Sequence, residues 1–134
     1  MIVSQWSDIL ELTEGNIENS VPNGRGVYEL GWFDESTQKF KPVLIERATG
    51  DSSSARTLRQ KLVDEYRNHK DKYPNLCFRY CQVEAPAKTM AKLLDFWGGT
   101  TYEWNCTPVQ NDLQLIEDEK KEPGDASILF DPYQ

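Results

Sequence analysis

The sequence predicts a small α+β domain, a three-stranded and mostly antiparallel sheet flanked by helices, with an acidic C-terminal tail. Three observations carry that expectation. Residues 26–33 and 40–45 are rich in β-branched and aromatic side chains around a polar turn, and residues 58–69 place apolar side chains at helical spacing. A chain of 134 residues with 38% hydrophobic content is also large enough for one buried core without disulfide or metal staples.

The elements follow in order. After Ser4, the residues Trp6, Ile9, Leu10 and Leu12 recur at roughly helical spacing with Asp8 in the opening turn, so a short amphipathic helix is expected over residues 5–14. Residues 16–25 hold Asn16, Asn19, Ser20, Pro22, Asn23 and Gly24, which is turn chemistry without apolar periodicity, and are expected to form a loop. A hairpin comes next, its strands at residues 26–33 and 40–45 joined by the polar residues 34–38. Residues 49–54 form a second polar loop whose last serines are expected to cap a helix. In that helix Leu58, Leu62, Tyr66 and His69 share one face, and Arg56, Arg59, Arg67 and Lys70 line another. Residues 78–83 make the third strand. Pro86 suits the first position of a further helix, which carries Met90, Leu93, Leu94 and Trp97 and should stop at Gly98-Gly99. Beyond Asn105 the chain turns acidic and is punctuated by Pro and Gly, so partial order at best is expected there. This divides the chain into a body, residues 1–108, and a tail, residues 109–134.

Fifteen basic residues against 22 acidic ones give a net charge of -7, unevenly spread. The tail from Gln110 onward has seven acidic and two basic residues, whereas residues 39–92 have twelve basic and six acidic ones. Such asymmetry points to a binding face or a self-masking tail. The stripe Arg47, Arg56, Arg59, Arg67 and Lys70, interleaved with Tyr66, Tyr73 and Tyr80, is the candidate nucleic-acid surface, because phosphate contacts need cations and bases stack on aromatic rings. Cys77, Cys81 and Cys106 lack a CxxC pair and are expected to be free thiols. There is no run of 18 apolar residues, and Gln5, Ser7 and Asp8 interrupt the opening stretch where a signal peptide would be apolar. A cytoplasmic chain without membrane contact is the expectation.

No Walker-type phosphate loop, HExxH or GxSxG is present, which leaves most enzyme classes without support. What remains is Gly26-Val27-Tyr28, then Val43-Leu44-Ile45-Glu46-Arg47-Ala48, a polar loop and the helix that begins near Arg56. On these residues the chain resembles the GIY-YIG endonuclease superfamily, over about residues 6–108. The resemblance implies two adjacent strands bearing the paired motifs, a helix with an essential Arg, and later a metal-binding Glu and an Asn. Tyr28 then stands at the catalytic tyrosine, Arg47 and Ala48 at the basic-Ala pair, Lys61 at the essential Arg, and Asn105 at the late Asn.

The departures are chemically serious. Leu44-Ile45-Glu46 replaces the second motif, so a hydroxyl is lost and a carboxylate gained. Lys61 cannot form the two-pronged phosphate clamp of an arginine. Near Met90-Ala91-Lys92 a lysine stands about where the metal-binding Glu is expected, and a hard cation such as Mg²⁺ needs oxygen ligands. The expectation is therefore a degenerate family member, an accessory or regulatory binding module for a protein or nucleoprotein complex, with DNA or RNA contacts through the basic helix. No metal or other cofactor is expected. The alternative is an active nuclease using Mg²⁺ or Mn²⁺ with Tyr28, Lys61 or a neighbouring Arg, and with Glu46 and Asn105 as candidate ligands.

Overall fold

The computed structural model describes residues 2–50, 56–97, 102–105 and 112–131. Its elements are β1 (Ile2–Gln5), β2 (Leu10–Glu11), α1 (Glu14–Ser20), β3 (Gly26–Asp34), β4 (Lys39–Ala48), α2 (Leu58–His69), β5 (Cys77–Cys81), α3 (Pro86–Trp97), α4 (Leu113–Lys121) and β6 (Ser127–Phe130). The α+β class holds, but the main sheet has four strands rather than three, antiparallel and in the order β2-β5-β3-β4. A second sheet pairs β1 with β6 in parallel.

The fourth strand of the main sheet, β2, comes from the segment expected to be helical, and β1 from the residues just before it. Trp6 is buried with Val27 and Ile45, whereas Leu12 is buried with Tyr28 and Leu30. Successive residues of a strand point to opposite faces, so Trp6 and Leu12 serve opposite faces of the sheet. One stripe of a single helix cannot do that, and the chain crosses the sheet edge in extended form instead. The helix starts at the end of that segment and runs into the expected loop: Thr13 accepts a hydrogen bond from the Asn16 N–H and caps α1, which buries only Ile17.

The hairpin forms as expected, with Gly26 opposite Ala48 and Asp34 opposite Lys39, and β5 flanks β3 on its other side. Strand β3 is thus central and covered on both faces. Helix α2 lies on the Tyr28 face through Leu58 and Leu62, while α3 and α4 cover the Val27 face through Met90, Leu94 and Leu115. Gly26 makes the first packing possible: a Cβ there would collide with the Cys81 carbonyl and the Leu58 side chain. Thr57 and Gln60 form a reciprocal capping box at the start of α2. The serines expected to do this, and the Gly98-Gly99 stop, lie outside the described residues. Cys77 and Cys81 are free thiols, and burial pushes both upward in pKa. Cys106 lies outside the described residues.

Within the acidic tail, α4 and β6 pack on the body. Leu115 is completely buried among Val27, Ile45 and Met90. The Glu122 carboxylate accepts the Ala87 and Lys88 N–H groups, two of the free donors of the first turn of α3.

Candidate functional site

Residues 46, 47 and 61 meet at one end of β4, Tyr28 on β3 stands beside Glu46, and Asn105 binds the outer edge of β4 at Ile45. Tyr28 and Glu46 are direct partners across β3 and β4, so their side chains share the face covered by α2. The Tyr28 hydroxyl is buried and donates to Glu65 Oε2 at 2.8 Å. Burial first, and then the negative charges of Glu65 and Glu46, hold this phenol well above its ordinary pKa. A phenol so placed keeps its proton and is not poised to take one from water.

Lys61 reaches the same end of β4 from the second turn of α2. Its ammonium donates to the Arg47 carbonyl at 2.6 Å and stands 3.9 Å from Glu46 Oε1. Burial lowers its pKa, and the Glu46 carboxylate works against that shift. Arg47 points to the other face and is held by the tail: its Nε and Nη2 donate to Asp118 Oδ2 at 3.0 and 2.7 Å, and its Nη1 lies 3.4 Å from Glu46 Oε1. Partial burial pushes the Asp118 carboxyl up, but hydrogen bonds from Arg47 and Gln114 outweigh it and hold the group below the usual range. An open cavity of about 390 Å³ lies between these groups, lined by Glu46, Arg47, Thr49, Arg56, Lys61 and Asp118.

Asn105 has a structural task. Its Oδ1 accepts the Ile45 N–H at 2.8 Å and its Nδ2 donates to the Ile45 carbonyl at 2.9 Å, while the Trp104 N–H donates to the Val43 carbonyl. Residues 104 and 105 therefore satisfy the outward backbone groups of an edge strand.

The donor set does not fit a divalent metal. Glu46 already faces the Lys61 ammonium and the Arg47 guanidinium, and Glu65 accepts the Tyr28 hydroxyl. Near the place expected for the metal-binding Glu, the Met90 sulfur sits 3.6 Å from Arg47 Nη1. Among the described residues no group of three His, Cys, Asp or Glu side chains could hold a metal ion.

The basic residues of α2 separate into two sets. Arg67 and Lys70 are exposed, and Arg56 is exposed but paired with Asp64. Arg59 instead donates to the Val21 carbonyl at 2.8 Å and ties α1 to α2.

Sequence reasoning missed a second polar cluster, on the opposite face of β3. Glu29 and Arg79 are cross-strand partners, both essentially inaccessible to solvent. Arg79 Nε donates to Glu29 Oε1 at 2.7 Å, and its Nη1 and Nη2 donate to the two carboxylate oxygens of Asp131 at 2.9 and 2.7 Å. The Tyr102 hydroxyl donates to Glu29 Oε2, and the guanidinium lies over the rings of Trp6 and Phe40 at 4.6 and 4.8 Å. Burial raises the Glu29 pKa despite Arg79, and two carboxylates hold Arg79 above its ordinary value despite burial. The available signal was a charged residue in the middle of each apolar strand, which requires a buried partner.

Comparisons with protein-family models, curated proteins and solved structures find no match. No helix among the described residues is long and apolar enough to cross a membrane.

Proposed function

We propose that this chain is a catalytically degenerate protein of GIY-YIG type that works as a binding module for a protein or nucleoprotein complex. The observation that carries this reading is the internal commitment of the groups at the motif positions. Tyr28 is buried against Glu65, Lys61 is bound to a backbone carbonyl, Asn105 is bound to the β4 edge, and Arg47 is clamped by Asp118. The order hairpin, helix, strand, helix agrees with the resemblance. Arg67 on α2, Lys70 just after it and Arg56 just before it remain outward and supply the contact charge, that of Arg56 shared with Asp64, and α4 covers Arg47 until a partner displaces Asp118.

The test is an anisotropy titration of labelled DNA and RNA oligonucleotides at several salt concentrations, with parent and Asp118→Asn proteins. Freed Arg47 should strengthen binding several-fold and steepen the salt dependence by about one phosphate contact. Unchanged affinity disposes of the masking role. Truncation of the tail is a poor test, because it also removes Leu115 from the core and Asp131 from Arg79.

One observation favours the second reading, an active nuclease: Glu46 lies beside Tyr28 on the same face. Cleavage that needs Mg²⁺ or Mn²⁺ and is lost in Tyr28→Phe would establish it over the first.

A further inference from the structure

An apolar groove lies on a different part of the molecule. Its cavity of about 770 Å³ runs between the C-terminal half of α3 and strand β6. Among the described residues only six large hydrophobic side chains are exposed, and four of them line this groove: Val3, Phe96, Ile128 and Phe130, exposed by 70, 77, 42 and 58%. Leu93 and Trp97 form its floor, partly buried against the core. Isolated exposed apolar residues are ordinary, whereas a cluster rimming one cavity marks a binding surface.

The backbone of β6 indicates what kind of ligand the groove takes. Among the described residues this strand has one ladder partner, β1. The Ser127 N–H is turned away from β1 and donates to Thr89 Oγ1 on α3 at 3.0 Å. Backbone groups alternate in direction along a strand, so Leu129, two residues on, presents its N–H and C=O to the same side, into the groove. Strand β6 carries no charge, proline or bulge of the kind that blunts an exposed edge. The charged side chains of α3 along the groove, Lys92 and Asp95, are of opposite sign and one turn apart, so the site does not select a polyanion.

From these features we infer that the groove binds an extended peptide segment of another protein, which adds as a strand beside β6 and is apolar at alternate residues. Hydrogen bonds to Leu129 fix its backbone, one set of its side chains packs on Leu93 and Trp97, and Phe96, Ile128 and Phe130 grip the rest. A second copy of this chain would bring its own α3 against this one, and is the competing occupant that the test separates. This inference is independent of the β4 site and of the nuclease resemblance.

The test is selection of displayed random dodecapeptides on the intact protein, followed by anisotropy with the enriched peptides and amide exchange on the complex. Enriched peptides should alternate apolar and polar residues, bind at least tenfold more weakly to Phe96→Ser, and slow exchange at the Leu129 amide. Methylating alternate peptide amides should abolish binding in one register only. Phe96 is mostly exposed, so its replacement leaves the core intact, and Leu113→Ser, at an exposed position outside the groove, should leave binding unchanged. The inference is overturned if no peptide enriches, if enriched peptides bind Phe96→Ser as well as the parent, or if sedimentation shows a dimer that Phe96→Ser dissolves.

Discussion

Removing the Asp131 carboxylate should unbalance the buried charge cluster. Asp131→Ala deletes two charge-assisted hydrogen bonds to a guanidinium whose side chain is 2% exposed. Breaking one side of a buried ion pair costs about 3–5 kcal/mol, because the remaining charge is left without compensation. Glu29 still faces Arg79, and the Asp131 side chain was 14% exposed, which admits some water, so the lower end applies, about 3 kcal/mol. For a chain of this length that is a fall in Tm of roughly 10 °C. Urea unfolding followed by tryptophan fluorescence measures it directly, since Trp6 stacks on the guanidinium. The triple variant Glu29→Gln, Arg79→Met, Asp131→Asn removes all three charges together and should lose less than Asp131→Ala alone. A loss below about 1 kcal/mol for Asp131→Ala, the range of a surface pair, would refute the reasoning.

Two further outcomes are expected. In Glu65→Gln the Tyr28 phenol, followed by ultraviolet difference titration, should ionise at lower pH than in the parent yet still above its ordinary value, because burial is the larger cause of the shift. Asp118 has a folded pKa below its unfolded one, so its contribution is present above the ordinary value of about 3.9 and disappears as pH falls through the depressed folded value. Acid titration of parent and Asp118→Asn, read by proteolytic sensitivity of α4, should show that loss in the parent alone.

How much of the fold was legible depended on whether a segment's burial is decided by its own pattern. The hairpin and β5 carry β-branched and aromatic runs that both layers use, α2 and α3 carry a helical period that one layer uses, and their boundaries fall within a few residues of expectation. The first twenty residues do not. Trp6, Leu10 and Leu12 mimic a helical stripe, but their spacing reflects a chain that serves two faces in turn. In α1 a single buried residue, Ile17, leaves no period to see, and Thr13 was the only cue. At the candidate site the sequence singled out Tyr28, Arg47, Lys61 and Asn105. It could not supply their partners, since Glu65, Asp118 and the Ile45 backbone come from elements whose docking depends on the assembled fold. The Glu29–Arg79 pair was hidden for the same reason: the register of β3 against β5 brings the two together from fifty residues apart.

The parallel pairing of β1 with β6 has a consequence for how the molecule is made. Ile2 finds its ladder partner at Ser127, far along the chain. A nascent chain can close the hairpin and seat α2 from neighbouring contacts, but β1 stays without its ladder partner, and Arg79 without Asp131, until residues 127–131 leave the ribosome. The guanidinium waits with only part of its counter-charge, beside a strand edge that any passing apolar segment could occupy. Emergence of β6 therefore separates a chain that can still pair with others from one that has paired with itself.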